Sequence, residues 1–192
     1  VYKRQLISVS MSEFWENLQD RDVALDAILT GYKGDTLDMP VYDNVMSKLK
    51  HHGSILDFGC GAGRNLKYLV SHYDNVYGYD YPNMLKFVPR ETLANKNLYL
   101  LDSLDKVLIR RYDEILCSLV LQHIHPTELR SLLEELVLHS SRFIIHSRIW
   151  VDFTFEPIAP ILADYLNIES IEYQKDPNSD ENDHFIGIFI PR

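Results

Sequence analysis

Short apolar runs and helical stripes alternate along most of this chain. Ile55–Phe58, Val76–Tyr79, Leu98–Leu101, Ile115–Leu121 and Phe143–Ile145 have the length and composition of buried strands. Between them, Asn65–Val70 and Pro82–Val88 read as helices, the second with proline in its first turn. Pro126 opens the strongest helical stripe, with Leu129, Leu132, Leu133, Leu136 and Val137 on one face. Ile115–Leu121 is apolar without alternation, as expected of a strand covered by helices on both faces. Strand–helix alternation of this kind predicts a parallel sheet.

The rhythm changes at both ends. Ser10 or Ser12 can cap a first helix, with Glu13 and Glu16 near its positive end and Phe14, Trp15 and Leu18 on one face. A second apolar stretch, Val23–Leu29, stops at Gly31, and residues 31–40 form a loop. Val41, Val45 and Leu49 then recur at helical spacing, and Gly53 is expected to close that helix. Residues 1–10 read as an upstream extension. Towards the carboxyl end, a helix near Ile158–Leu166 precedes two strands, Ile168–Tyr173 and Phe185–Ile190. The polar stretch between them has no room for a crossover helix, so the two must pair antiparallel. FIGIFI, within the last strand, is apolar on both faces and belongs inside the sheet. The chain carries no internal repeat. It reads as one domain over 1–192, with N-terminal helices and a lid over 11–52 and the core over 53–192.

Composition narrows the function. The 192 residues are 46% hydrophobic and 24% charged, as in ordinary soluble domains. No apolar run reaches the roughly 18 to 20 residues that span a bilayer. The formal net charge of −9, with no lysine- or arginine-rich block, argues against broad nucleic-acid binding and against anionic membranes. The two cysteines, Cys60 and Cys117, both lie in apolar runs, which points to a reduced, cytoplasmic setting.

The sharpest chemical signal is Asp57-Phe58-Gly59-Cys60-Gly61-Ala62-Gly63-Arg64. A buried strand ends, the chain turns on three alternate glycines, and a helix begins. Bare backbone in such a turn suits a nucleotide-type cofactor at the carboxyl ends of the strands, although a tight turn with no ligand has the same sequence. The dinucleotide fingerprint needs a small residue at its sixth position. Here that position is Arg64 or Leu66, depending on the starting glycine, and neither fits. The next strand ends in Tyr79-Asp80-Tyr81. Asp80 is placed to accept both hydroxyls of a ribose or to cap the helix at Pro82, and the Tyr81 ring can lie against an adenine.

The G-x-G-x-G spacing resembles motif I of the class I S-adenosylmethionine-dependent methyltransferases, of the small, single-domain kind. The fourth strand, running through Leu121-Gln122-His123-Ile124, is similar to that family's segment after strand four, and the closing antiparallel pair fits as well. The resemblance covers roughly residues 41–190. It implies an α/β doubly wound, Rossmann-like three-layer sandwich, with a seven-stranded sheet in the order 3-2-1-4-5-7-6 and the last strand antiparallel. It also implies S-adenosylmethionine as cofactor, held by Asp57, Gly59, Cys60, Gly61, Asp80 and Tyr81, with Asp102 and Ser103 near the adenine and Ser118 close by. For Asp102 and Ser103 a plain turn or helix cap is the competing reading.

Methyl transfer from a sulfonium is an in-line displacement, so the enzyme aligns the partners and removes a proton where the acceptor must lose one. His123, emerging where the fourth strand meets the cofactor cleft, is the candidate base or acceptor-orienting group; a structural histidine is the alternative. His125 reads as a cap before Pro126. No acid or cysteine stands at ligand spacing from this pair, so no metal is expected. Phe14, Trp15, Tyr32, Lys33, His146, Arg148 and Trp150 either line an acceptor pocket, pack in the core or lie at the surface. The acidic stretch 176–183 reads as a solvated hairpin tip. The expected activity is methyl transfer to a small molecule or an exposed side chain. The rivals are a nicotinamide-dependent oxidoreductase and a non-catalytic scaffold of the same fold.

Overall fold

The computed structural model describes residues 15, 17–20, 22, 43–149, 157–175 and 182–192. Its seven strands are β1 (Ser54–Phe58), β2 (Asn75–Tyr79), β3 (Leu98–Leu101), β4 (Glu114–Ser118), β5 (Phe143–Arg148), β6 (Leu166–Lys175) and β7 (Asn182–Pro191). They form one sheet in the order β3-β2-β1-β4-β5-β7-β6. The first five run parallel, and β7 lies antiparallel between β5 and β6. The implied strand order is the one found, and the strand that is apolar on both faces is interior.

The described helices are α1 (Asp43–Met46), α2 (Leu66–Leu69), α3 (Pro82–Leu85), α4 (Arg90–Leu93), α5 (Leu104–Leu108), α6 (Pro126–Leu136) and α7 (Ile158–Tyr165). Successive strand residues point to opposite faces, so the sheet has two apolar surfaces to cover. Leu56, Phe58, Ile115, Cys117, Phe143 and Ile145 pack with α5, α6 and α7. Ile55, Val76, Leu116, Ile144 and Ile186 pack with α1, α2 and the Leu85–Val88 region. The result is a Rossmann-like α/β sandwich. Leu129, Leu133 and Leu136 of α6 are all buried, each stabilising the sandwich by about 1.5–3 kcal/mol. His125 caps α6 as expected, its Nδ1 accepting the Thr127 N–H at 3.3 Å.

Element ends differ from the sequence expectation in instructive places. The fourth strand stops at Ser118, not Leu121, because Leu119 adopts φ +59°, a left-handed conformation that costs a non-glycine residue about 1–2 kcal/mol. The chain then passes into a 3-10 turn, Leu121–His123. The fifth strand continues to Arg148, since β7 pairs with it as far as His184. Gly53 does not close the preceding helix, which ends at Met46. Its positive φ instead serves the entry into β1, where its N–H donates to Asp74 Oδ2. The helices α4 and α5 are too short to carry a readable stripe. The expectations for residues 1–10, for Val23–Leu29, for the loop 31–40, for Tyr32, Lys33 and Trp150, and for the acidic tip at 176–181 lie outside the described residues. So does most of the first helix.

At the amino ends of the strands, Glu114 is fully buried and accepts hydrogen bonds from Tyr73 Oη, Arg142 Nη1 and the Lys50 N–H. Arg142 Nη2 also donates to the Lys48 carbonyl at 2.7 Å. An open pocket lined by Ser54, Tyr112, Asp113 and Ser140 lies at this same end, away from the glycine turn. Among the described residues no helix is long and apolar enough to cross a membrane.

Candidate functional site

The glycine turn is tied to the end of β2 by three backbone donors. The N–H groups of Gly59 and Cys60 both donate to the Tyr79 carbonyl, at 2.8 and 2.9 Å. The Gly61 N–H donates to Asp80 Oδ2 at 2.6 Å. Gly59, Gly61 and Gly63 all have positive φ, so the bend requires glycine at each alternate position. At two of them the missing Cβ serves packing: one at Gly59 would strike both γ-methyls of Val120, and one at Gly63 would press on Val88. The turn thus owes much of its glycine content to the protein's own side chains.

Two carboxylates flank it. Asp80 accepts the Tyr81 N–H on Oδ1 at 2.7 Å and the Gly61 N–H on Oδ2. Burial still pushes it up to about 6, those two donors opposing the rise. Asp57 is 1% exposed, and its Oδ2 has no hydrogen-bond partner. Burial pushes it up to about 7, with the Asn65 side chain lowering it and the nearby Asp80 charge raising it further. A buried carboxylate oxygen left unsatisfied costs about 1–3 kcal/mol or more. Such an atom is suited to a positively charged donor.

The other sequence candidates fall into three groups. Cys60 is buried against Gly78, its thiol well above the ordinary range through burial, so it offers the site only backbone. Tyr81 caps α3, and its ring packs on Leu18 and Met84. Asp102 is exposed and paired with Lys106 at 2.6 Å, which lowers its carboxyl; Ser103 caps α5 without a side-chain bond. Ser118 lies at the carboxyl end of β4, one position past the Phe58–Cys117 pairing and so beside Gly59. His123 stands in the turn that follows, its ring 5.8 Å from that of Trp15. Ser147 Oγ donates to Gln122 Oε1 at 2.9 Å, and Gln122 Nε2 lies 3.4 Å from His123 Nε2.

Three participants escaped the sequence reading. Asn83, buried in α3, donates through Nδ2 to the carbonyls of Trp15 and Leu18, both at 2.7 Å, and so holds the N-terminal segment against the end of β2. Only its position after Pro82 marked it. Val120 fills the space beside Gly59, and His184 joins His146 behind Ser118. Among the described residues no group of three or more metal-ligating side chains is present.

A doubly wound sheet with this turn and two carboxylates at its carboxyl edge defines a nucleotide-type cofactor fold. Residues 40–140, more than half the chain, match the family described as methyltransferase domain, and the chain belongs to that family. Solved structures agree in fold. The N-methyltransferase NodS from Bradyrhizobium japonicum WM9, in complex with S-adenosyl-L-homocysteine, superposes with a TM-score of 0.66 at 14% identity, over 89% of this chain and 98% of that one. Magnesium protoporphyrin IX methyltransferase from Synechocystis PCC 6803 with bound SAM gives 0.60 at 17% identity, over 96% and 92%. A methyltransferase structure from Listeria monocytogenes gives 0.61 at 16%, over 78% and 96%. No curated protein matches the chain.

Proposed function

We propose that this chain transfers a methyl group from S-adenosylmethionine to a small-molecule acceptor. The observation that carries the reading is the pair of buried carboxylates at the glycine turn, Asp57 with an unpartnered oxygen and Asp80 directed at Gly61. These residues fit the cofactor. Asp80 would hold the ribose hydroxyls, Asp57 the amino group of the methionine portion, and the turn at Gly59–Gly61 would lie along it. Tyr81 and the Asp102–Ser103 corner would flank the base. When bound, the cofactor supplies a methyl group made electrophilic by a sulfonium. The chain's share is alignment: a fixed turn, two anions for two donors, and the Trp15 segment latched by Asn83 to limit water.

We assign His123 the orienting of the acceptor and, where a proton must leave, its acceptance at Nε2. Gln122 Nε2 lies 3.4 Å from that nitrogen, a contact long enough to be displaced. The overall charge of −9 favours a small acceptor over a nucleic acid, and the Synechocystis enzyme is named for a porphyrin. Two buried free thiols suit a reducing, cytoplasmic setting.

A nicotinamide is disfavoured on packing grounds. In the dinucleotide arrangement a glycine on the helix lets it approach the sheet. Here the small residue is Gly78 on β2, where a Cβ would strike Leu66 of α2, so the roles are reversed. Calorimetric titration with S-adenosylmethionine, S-adenosylhomocysteine and NADH tests the proposal. Saturable binding of both adenosyl ligands is expected. Binding of NADH alone would end the reading. In a later acceptor screen, undiminished turnover by His123→Ala would remove that histidine from the mechanism.

A further inference from the structure

Strand alternation puts Asp57, Ser118, His146 and His184 on the sheet face otherwise made apolar by Ile55, Leu116, Ile144 and Ile186. Three of them form a line across β4, β5 and β7. Ser118 Oγ lies 3.2 Å from His146 Nδ1, and His146 Nε2 lies 3.3 Å from His184 Nδ1. Exposure along the line is 9%, 0% and 5%. Apolar side chains would close this part of the core more cheaply, since buried polar groups must be satisfied one by one. Ser118, the most exposed of the three, stands at the carboxyl end of β4.

We propose that His146 and His184 are positioning residues that act on the cleft through Ser118, holding its hydroxyl so that the oxygen's lone pairs face the ligand's positive charge. The inference rests on the adenosyl reading above. A neutral imidazole offers one donor and one acceptor, so hydrogen bonding sets a single sense along the line. With His146 Nδ1 accepting, the Ser118 proton points away from the cleft, His146 Nε2–H donates to His184 Nδ1, and the serine oxygen is left as an acceptor. This sense suits a site where Asp57 and Asp80 call for positive or hydrogen-bond-donating partners. Burial keeps His146 neutral, pushing it down to about 3, so protonation does not break the line in the physiological range. The pairing of Ser118 with His146 in adjacent strands, and the Leu119 N–H donated to the His146 carbonyl at 2.7 Å, hold the two in register.

The test is a double-mutant cycle read in ligand affinity. Ser118→Ala should weaken S-adenosylmethionine binding about three- to tenfold, the size of one hydrogen bond, and weaken S-adenosylhomocysteine less, because that ligand lacks the sulfonium charge. His146→Leu should produce the same loss, and the double variant no more than either single, since the histidine acts only through the serine. His146→Asn, which keeps an amide near the Nδ1 position, should restore most of the affinity. Unchanged affinity in Ser118→Ala, equal losses for both ligands, or losses that multiply in the double variant would each overturn the proposal. A second arm needs neither ligand nor the leucine variant. In ligand-free protein, Ser118→Ala should shift the ring nitrogen resonances of both His146 and His184, and an unmoved pair would also overturn it. If the wild type binds neither adenosyl ligand, the methyltransferase reading fails, and the resonance arm alone decides whether the line exists.

Discussion

Asp80 Oδ2 accepts the Gly61 N–H at 2.6 Å, so the carboxylate that ends β2 is aimed into the glycine turn. Its carboxyl sits at about 6 and that of Asp57 at about 7, in both cases chiefly through burial. The folded protein therefore holds protons that the unfolded chain releases above 3.8. Its ligand-free stability falls as pH rises through the window from 3.8 to about 7. On the proposed assignment, with sugar hydroxyls and an amino group paired to the ionised forms, adenosyl binding should depend on pH in the opposite sense. Affinity for S-adenosylmethionine is expected to rise from pH 5 to pH 8, by up to about tenfold per pH unit for each titrating group. Calorimetry at pH 6 in buffers of different protonation enthalpy should show proton release. Proton uptake, or a dissociation constant flat across this range, would contradict the assignment.

Asp57 separates stability from binding. Ionised, it is a buried anion with one unpartnered oxygen, and burial is the main cause of its raised value. Asp57→Asn should therefore stabilise the ligand-free protein at pH 8 by about 1–3 kcal/mol, raising Tm by several degrees. The gain should vanish at pH 5, where the native carboxyl is already protonated. Adenosyl affinity at pH 8 should fall at least tenfold. A Tm gain of equal size at both pH values would show that charge burial is not its origin.

The sheet was legible because its information is periodic. Five apolar runs separated by helices fix a parallel sheet, and a polar connection too short for a helix fixes the antiparallel close. What could not be read depends on contacts across the chain. Nothing local marks Leu119 as left-handed; its conformation belongs to the junction that carries β4 into the His123 turn while its N–H stays bonded to β5. Gly59 and Gly63 were legible as a bend, but their packing partners, Val120 and Val88, are known only once the strands are side by side. Asp80 was placed at the correct strand end by motif spacing. Asn83, three residues later, reads as an ordinary helix residue, since its partners are carbonyls 65 and 68 positions away.

The Gly59–Val120 contact gives a prediction about the turn itself. Gly59→Ala combines a left-handed φ of +76° with a Cβ on the Val120 methyls. The conformational part costs about 1–2 kcal/mol and the overpacking about 1–3 kcal/mol. Adding Val120→Ala should recover the overpacking part alone, leaving the double variant about 1–2 kcal/mol below Val120→Ala. Urea midpoints of the four proteins measure this. If the two substitutions simply add, the methyl contact is not what excludes a side chain at Gly59.

Glu114 offers the converse case, a buried charge far from the turn. It sits at the amino end of β4 between Tyr73, Arg142 and the Lys50 N–H, with Arg142 itself only 11% exposed. Removing one member of such a pair strands the other, so Glu114→Ala should cost about 3–5 kcal/mol. Glu114→Gln, which keeps an acceptor for Tyr73 and Lys50, should cost less. Because this cluster and the glycine turn lie at opposite ends of β1 and β4, S-adenosylmethionine affinity of the folded fraction should stay within about twofold of wild type. Denaturant midpoints and titrations well below the variant's Tm give the two readings independently. A loss of affinity matching that of an Asp80 variant would mean that the two ends of the sheet are coupled, and that the carboxylates at the turn do not set binding by themselves.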